Sequence, residues 1–208
     1  MSKTKIAIQG ELGAYSHIAA ESLYNEAEIK TCATFEETFK HAYNDQNFKI
    51  VIPIENSLAG RVADIHYLLP KYKLQIHGEH FQTVEHNLLC KREASIDDIK
   101  FVRSHAQAIG QCQNMINKRK FKPIISADTA GSAKDLAEGE DKSIAAIASE
   151  LSAKIYNLKI LEKNIEDEKG NVTRFLIMGK NIEQPEFSKN KKFITCLLYT
   201  SDAADDRL

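Results

Sequence analysis

The chain has 208 residues, above the roughly 150-residue prior for one domain and short of two comfortable ones, so one domain or two intimately associated lobes are expected. Apolar residues make up 43% and charged residues 27%, enough for a buried core, and a formal net charge of −1 with scattered Lys and Arg excludes the basic footprint of a nucleic-acid binder. No stretch reaches the length of a membrane span, and MSKTKIAIQGE is too poor in apolar residues for a signal-peptide core, so a cytoplasmic protein acting on a small molecule or a protein partner is expected.

Short apolar runs alternate with stretches of helical period, the pattern of an α/β fold. The first strand is KIAIQG (5–10), followed by GELG (10–13), which is neither the dinucleotide fingerprint GxGxxG nor a P-loop. KIVIPI (49–54) is a strand that runs into Glu55, Asn56 and Ser57. Leu58, Val62, Ile65 and Leu69 follow at helical spacing, which predicts a helix beginning at Leu58. LQIHGEHF (74–81) and NLLCKR (87–92) are further strands. The spacing of His77, His80 and His86 around them fits neither a helical i, i+4 pair nor a zinc pattern, so no metal is expected.

KFVRSH (100–105) is a strand, and HAQAIGQCQNMINK (105–118) reads as one helix burying Ile109, Cys112 and Ile116. PIISAD (123–128) leads to AGSAKDLAEG, a helix burying Ala133, Leu136 and Ala137 and stopping at Gly139. SIAAIAS (143–149) and VTRFLIMG (172–179) complete the strands. The cysteines Cys32, Cys90, Cys112 and Cys196 form no CxxC pair and are expected to be reduced and mostly buried. Residues 180–192, with Pro185 and the run KNKK, read as a solvated linker. Residues 193–208 begin like a strand and turn acidic, as a remnant of a further domain or an unrelated tail would.

One grammar recurs at the strand ends: KIVIPI to ENS, KFVR to SHAQ, PIIS to ADTAGS and SIAAI to ASE. Taken singly, Ser57, Ser104, Thr129 and Ser149 read as helix caps. Together they place polar groups and helix N-termini around one crevice at the carboxyl ends of the strands, an arrangement that suits an anion. Gly60 and Gly131 would allow close approach there. No GxSxG elbow is present, so covalent hydrolysis is not expected.

Read together and in order, GELGAYSHIAA (10–20), PIENSLAGRV (53–62), VRSHAQAIGQC (102–112), ADTAGSAK (127–134), AAIAS (145–149) and NVTRF (171–175) closely resemble prephenate dehydratase. The resemblance implies two α/β lobes similar in architecture to type II periplasmic binding proteins, with the active site in the cleft between them. Lobe one would comprise about 1–78 plus 163–179 and lobe two about 79–162, within a catalytic domain of 1–179. It further implies a carbon–oxygen lyase that converts prephenate to phenylpyruvate without a cofactor, and a homodimer.

Carried over by position, Thr173 is the catalytic hydroxyl, while Asn56, Ser57, Ser104, Gln107, Thr129, Ala130 and Ser132 hold the substrate carboxylates. Arg174 is read as a further carboxylate partner because its guanidinium fork matches a carboxylate. Glu55 is placed with the catalytic residues, orienting its neighbours or protonated beside the dianion. Arogenate dehydratase and a non-catalytic anion-binding module of the same fold are the alternatives. The family's C-terminal ACT domain is expected to be largely missing, and phenylalanine feedback with it.

Overall fold

The computed structural model describes residues 3–180, so the linker and tail expected from 181 to 208 lie outside the described residues. The elements are β1 (Lys5–Gln9), α1 (Tyr15–Leu23), β2 (Glu28–Cys32), α2 (Phe35–Asn44), β3 (Phe48–Asn56), β4 (Gly60–Arg61), α3 (Ala63–Tyr72), β5 (Gln75–Thr83), β6 (Asn87–Cys90), β7 (Phe101–His105), α4 (Ala106–Gly110), α5 (Gln113–Arg119), β8 (Lys122–Ser126), α6 (Thr129–Glu138), β9 (Ile144–Ala148), α7 (Glu150–Ile155), β10 (Lys159–Glu162) and β11 (Val172–Gly179). They build two sheets, a six-stranded one ordered β2-β1-β3-β11-β5 with β4 on β3, and a five-stranded one ordered β10-β6-β9-β7-β8. This is an α/β architecture of two lobes.

Each sheet is covered on both faces, which is why its central strands read as continuous apolar runs. In the first lobe Ile50, Ile52, Leu176 and Met178 pack with Phe39 of α2 and Ile65, Leu68 and Leu69 of α3. On the other face Ile6, Ile8, Val51, Phe175 and Ile177 meet Ala19 and Ala20 of α1. In the second lobe Val102, Ala145 and Ile147 pack with Ile109, Cys112 and Ile116, while Leu89, Ala146 and Ala148 pack with Leu136 and Ala153. Each fully buried Ile or Leu contributes about 1.5–3 kcal/mol. Cys32, Cys90 and Cys112 are free and buried.

The chain crosses between lobes twice. Strand β5 stays in the first sheet through Thr83, beyond the expected lobe boundary at 78, and the outward crossing is Val84 to His86. The return segment runs beside it, with Val84 N–H donating to Asn171 O at 2.8 Å and Ile165 N–H to His86 O at 2.9 Å.

Two expectations are corrected, and three strands appear that were not expected. The helix predicted from Leu58 begins at Ala63, and Leu58 is 42% exposed. Asn56 Oδ1 accepts the N–H groups of Leu58 (3.0 Å) and Ala59 (2.8 Å), and Gly60 at φ +78° turns the chain back so that β4 pairs with Glu55 and Asn56. The single helix expected over 105–118 is two, because the return segment occupies the break: Asp167 N–H donates to Gln111 O at 2.7 Å, and the Asp167 carboxylate accepts Asn114 N–H at 3.1 Å. The strands β2, β4 and β10 carried no apolar signal; β2 and β10 are sheet edges whose residues are largely exposed or half-buried.

Candidate active site

Between the lobes lies a cavity of about 570 Å³, lined from the first lobe by the ends of β1, β3 and β11 and from the second by residues following β7 and β8. Asn56, Gln107, Thr129 and Thr173 all line it. The expected residues therefore converge from both lobes, although only in part.

Thr173 is 9% exposed and pairs across the sheet with Asn56, while Phe175 pairs with Pro53. One residue, Arg174, lies between Thr173 and Phe175 but two, Ile54 and Glu55, lie between Pro53 and Asn56, so Ile54 is an extra residue, a bulge in β3. The bulge re-aims Asn56 onto the cavity face. Without it the period of two would point Asn56 into the opposite core with Ile52 and Ile54.

At this corner the direction of every hydrogen bond is determined. Asn56 Oδ1 is held by two backbone N–H groups, so its Nδ2 must be the donor to Thr173 Oγ1 at 2.9 Å and to Asn171 Oδ1 at 2.5 Å. The Thr173 oxygen thus accepts from Asn56 and its own proton is directed elsewhere. Asn171 Nδ2 in turn donates to Gln111 Oε1 at 3.0 Å, and His86 Nε2 lies 2.9 Å from the same oxygen. Tyr15 O–H, at the far end, donates to Glu85 O at 2.6 Å and lies 3.3 Å from His86 Nδ1. Burial lowers the His86 pKa and raises that of the Tyr15 phenol well above its ordinary value, so both groups are neutral near pH 7.

Arg174 and Glu55 are corrected. Each alternates with a cavity-lining neighbour and so faces the opposite side of the sheet. There Arg174 Nη2 sits 2.6 Å from Glu79 Oε2 and Nη1 3.5 Å from Glu55 Oε1, with the guanidinium 5.9 Å from the Phe81 ring centroid. Arg174 partners protein carboxylates, and Glu55 meets a cation on a face away from the cavity.

Four more of the expected residues, Ser57, Ser104, Ala130 and Ser132, are not among those that line the cavity. Ser57 caps no helix: its N–H donates to Val172 O, its Oγ accepts Val172 N–H at 3.0 Å and donates to Gly170 O at 3.2 Å, tying the corner to β11. Ser104 is fully buried in β7 and donates to Ile147 O of β9 at 2.7 Å. Ala130 and Ser132 are fully buried in α6, with Ser132 Oγ donating to Asp128 O at 2.8 Å. The cap of α6 is Asp128, not Thr129, and Gly131 keeps clear the space of that cap, since a Cβ there would lie 2.9 Å from Asp128 Oδ2. Ser149 does cap α7, accepting Ser152 N–H at 3.0 Å.

The GELG stretch joins the lobes. Gly13 O accepts Ser149 Oγ–H at 2.6 Å and Ser152 Oγ–H at 3.1 Å, Leu12 O accepts Tyr156 O–H at 2.9 Å, and Glu11 pairs with Lys134 at 3.2 Å. Gly13 has φ +90°, and a Cβ would lie 2.4 Å from Ser152 Oγ. Only glycine fits so close an approach. This contact carries the chain into α1, which begins at Tyr15 after Ala14, a residue that offers no side-chain cap, and whose first turn lines the cavity. Free N–H groups and a positive dipole end there favour an anion.

Tyr15, His86, Gln111 and Asn171 were not among the expected site residues. Three of them lie inside the motifs quoted above, but only the fold shows that they touch one another. The histidines near β5 do not gather: His80 Nε2 contacts Ser22 Oγ and Gln82 Oε1, both at 3.3 Å, while His86 belongs to the cavity. The ligand atoms of Cys32, Glu37 and His41, none of which lines the cavity, lie within 4.8 Å of one another, with Glu37 already accepting Ala33 N–H at 2.9 Å.

Comparison with known proteins identifies the family. The family model described as prephenate dehydratase matches residues 6–183. An Arabidopsis thaliana protein named arogenate dehydratase/prephenate dehydratase 2, chloroplastic, is 38% identical over 199 residues, 96% of this chain and 52% of its own. Prephenate dehydratase of Methanocaldococcus jannaschii is 37% identical over 185 residues, 86% of this chain and 66% of its own. The crystal structure of prephenate dehydratase from Staphylococcus aureus subsp. aureus Mu50 superposes with a TM-score of 0.73 at 29% identity, covering 86% of this chain and 67% of that one. The chain spans about half the length of the Arabidopsis relative. With most of its length matched in sequence and both lobes matched in structure, the chain belongs to the prephenate dehydratase family.

Proposed function

We propose that this chain catalyses the cofactor-free decarboxylative dehydration of prephenate to phenylpyruvate. The ring carboxylate leaves as carbon dioxide, its C–C bond electrons enter the ring, and the ring C–O bond breaks to release hydroxide, which takes up one proton as water. Aromatisation supplies the driving force. The protein must orient the dianion and supply a hydrogen bond to the departing oxygen.

The observation that carries this reading is the Thr173 hydroxyl, whose oxygen accepts from Asn56 while its proton is left for the cavity. A Thr hydroxyl is too weak an acid to give up its proton outright. It donates a hydrogen bond that strengthens as negative charge builds on the leaving oxygen. The uncapped first turn of α1, with Gln107 and Thr129 from the second lobe, meets the carboxylates. Of the polar groups that the family resemblance assigned, those that line the cavity in this reading are Thr173, Asn56, Gln107 and Thr129. The resemblance also carries a cytoplasmic homodimer, which light scattering of the purified protein tests.

Purified protein mixed with prephenate at neutral pH should form phenylpyruvate, and Thr173→Val should lose the turnover while still binding substrate. Binding without turnover in the parent protein would make it an anion-binding module instead. Among the described residues no helix is long and apolar enough to cross a membrane.

A further inference from the structure

We propose that His86 and Asn171 are positioning residues which, acting through Asn56 and together with the backbone N–H groups that hold it, fix where the Thr173 hydroxyl sends its proton. The inference rests on the dehydratase reading and extends it to side chains at the two interlobe crossings. His86 is 3% exposed and ends the outward crossing, while Asn171 is 1% exposed and ends the return.

A buried polar chain of amides has two self-consistent directions, and only one of them is useful here. In the observed direction Asn56 donates to Thr173, Asn171 accepts from Asn56 and donates to Gln111, and Gln111 Oε1 accepts from Asn171. In the reverse direction Asn56 would present its oxygen to Thr173. The Thr173 proton would then be consumed inside the protein and nothing would be left for the leaving group.

Both ends of the chain hold the useful direction. At one end the N–H groups of Leu58 and Ala59 fix the Asn56 oxygen. At the other end Gln111 Oε1 is an acceptor, so His86 must meet it with Nε2–H, and Nδ1 is then the unprotonated nitrogen. The Nε2 contact at 2.9 Å is closer than the 3.3 Å between Nδ1 and Tyr15 Oη, whose proton already goes to Glu85 O at 2.6 Å. The opposite tautomer would turn a lone pair toward Gln111 Oε1, forcing that amide to flip and setting its NH₂ against the NH₂ of Asn171. The tautomer of His86 and the direction of the Thr173 proton are thus two ends of one polarity.

The direction of the chain places Gln111 as its hinge. Its oxygen is taken by His86 and Asn171, and its side chain stands at the cavity it lines. A network that served only to satisfy buried groups would tolerate any substitution that restored the hydrogen-bond count. A positioning chain demands a donor at the His86 Nε2 position and both a donor and an acceptor at Asn171.

The test joins spectroscopy on the parent protein to kinetics on variants. Long-range ¹⁵N–¹H correlation on protein labelled at histidine, with the His86 signal assigned by its loss in His86→Gln, should show a neutral ring protonated at Nε2. Protonation at Nδ1 overturns the proposal, and this arm needs no substrate. In the kinetic arm His86→Leu and Asn171→Ala should lower kcat for prephenate about 10- to 100-fold with little change in KM. His86→Gln, which keeps an N–H donor near the Nε2 position, should recover most of that loss. Unchanged kcat in folded His86→Leu, or a loss expressed only in KM, also overturns it. If the parent protein turns over no prephenate, the dehydratase reading fails by itself, while the tautomer still reports on the direction of the chain.

Discussion

Thr173 and Arg174 are neighbours in one strand of one motif, and the fold gives them opposite tasks. Thr173 faces the interlobe cavity in a chain of hydrogen bonds running from Asn56 to His86, whereas Arg174 faces away and is neutralised by Glu79 and Glu55. The first side presents a group whose proton is uncommitted. The second is paired with the protein's own carboxylates, and its work is to hold β11 against β5 and β3. The comparison teaches that a residue's presence in a recognised motif says little about chemistry until its face of the strand is known.

The difference can be broken first on the cavity side. Thr173→Val keeps shape and β-propensity and removes only the hydroxyl, so kcat should fall by about 100- to 1,000-fold with the melting temperature nearly unchanged. A fall of less than threefold would end the role assigned to Thr173.

Gly13→Ala comes next, because it separates lobe docking from both faces of β11. The new Cβ would collide with Ser152 in a backbone conformation that L residues rarely adopt, and about 2–4 kcal/mol of stability should be lost in chemical denaturation. An unaffected midpoint would mean that the lobes are not held at this point.

On the far side of the strand Arg174→Met should leave kcat within about threefold of the parent while lowering stability by about 1–3 kcal/mol, since Glu79 and Glu55 lose their cation. The additional change Glu79→Gln should return part of that stability. A kcat loss in Arg174→Met as large as in Thr173→Val would erase the distinction between the faces.

The smallest effect is on pH dependence. Burial lowers the pKa of His86, and also that of His17, where the nearby Glu21 opposes it. Between the lowered folded value and the ordinary value of 6.5 the unfolded chain binds protons that the folded chain does not, so stability rises with pH across that window. Thermal melts should therefore show stability held above about pH 6.5 and declining toward pH 5, with a shallower decline in His86→Gln. A flat profile would show that neither imidazole is kept neutral by the fold.

Much of this architecture was legible in the order of residues. Continuous apolar runs such as KIVIPI and FLIM announced strands buried on both faces, and the corners after them announced where polar groups would collect. Edge strands escaped notice because half-buried, charged residues leave no apolar period. Ser104, Ala130 and Ser132 lie in the right motifs yet face the interior, since a motif records neighbours along the chain and not the direction of a side chain.

By itself the sequence determined the alternation of strands and helices, the turn glycines and the residue types available at each corner, because these follow from periodicity and local backbone sterics. Only the tertiary structure decided which of those residues face the cavity. That choice turns on the extra residue Ile54 in β3, on the pairing of β11 with β3 and β5, and on the meeting of Asn171 with Gln111. A shift of one residue in strand register exchanges the two faces of a sheet, and register is set by partners more than a hundred positions away in the chain.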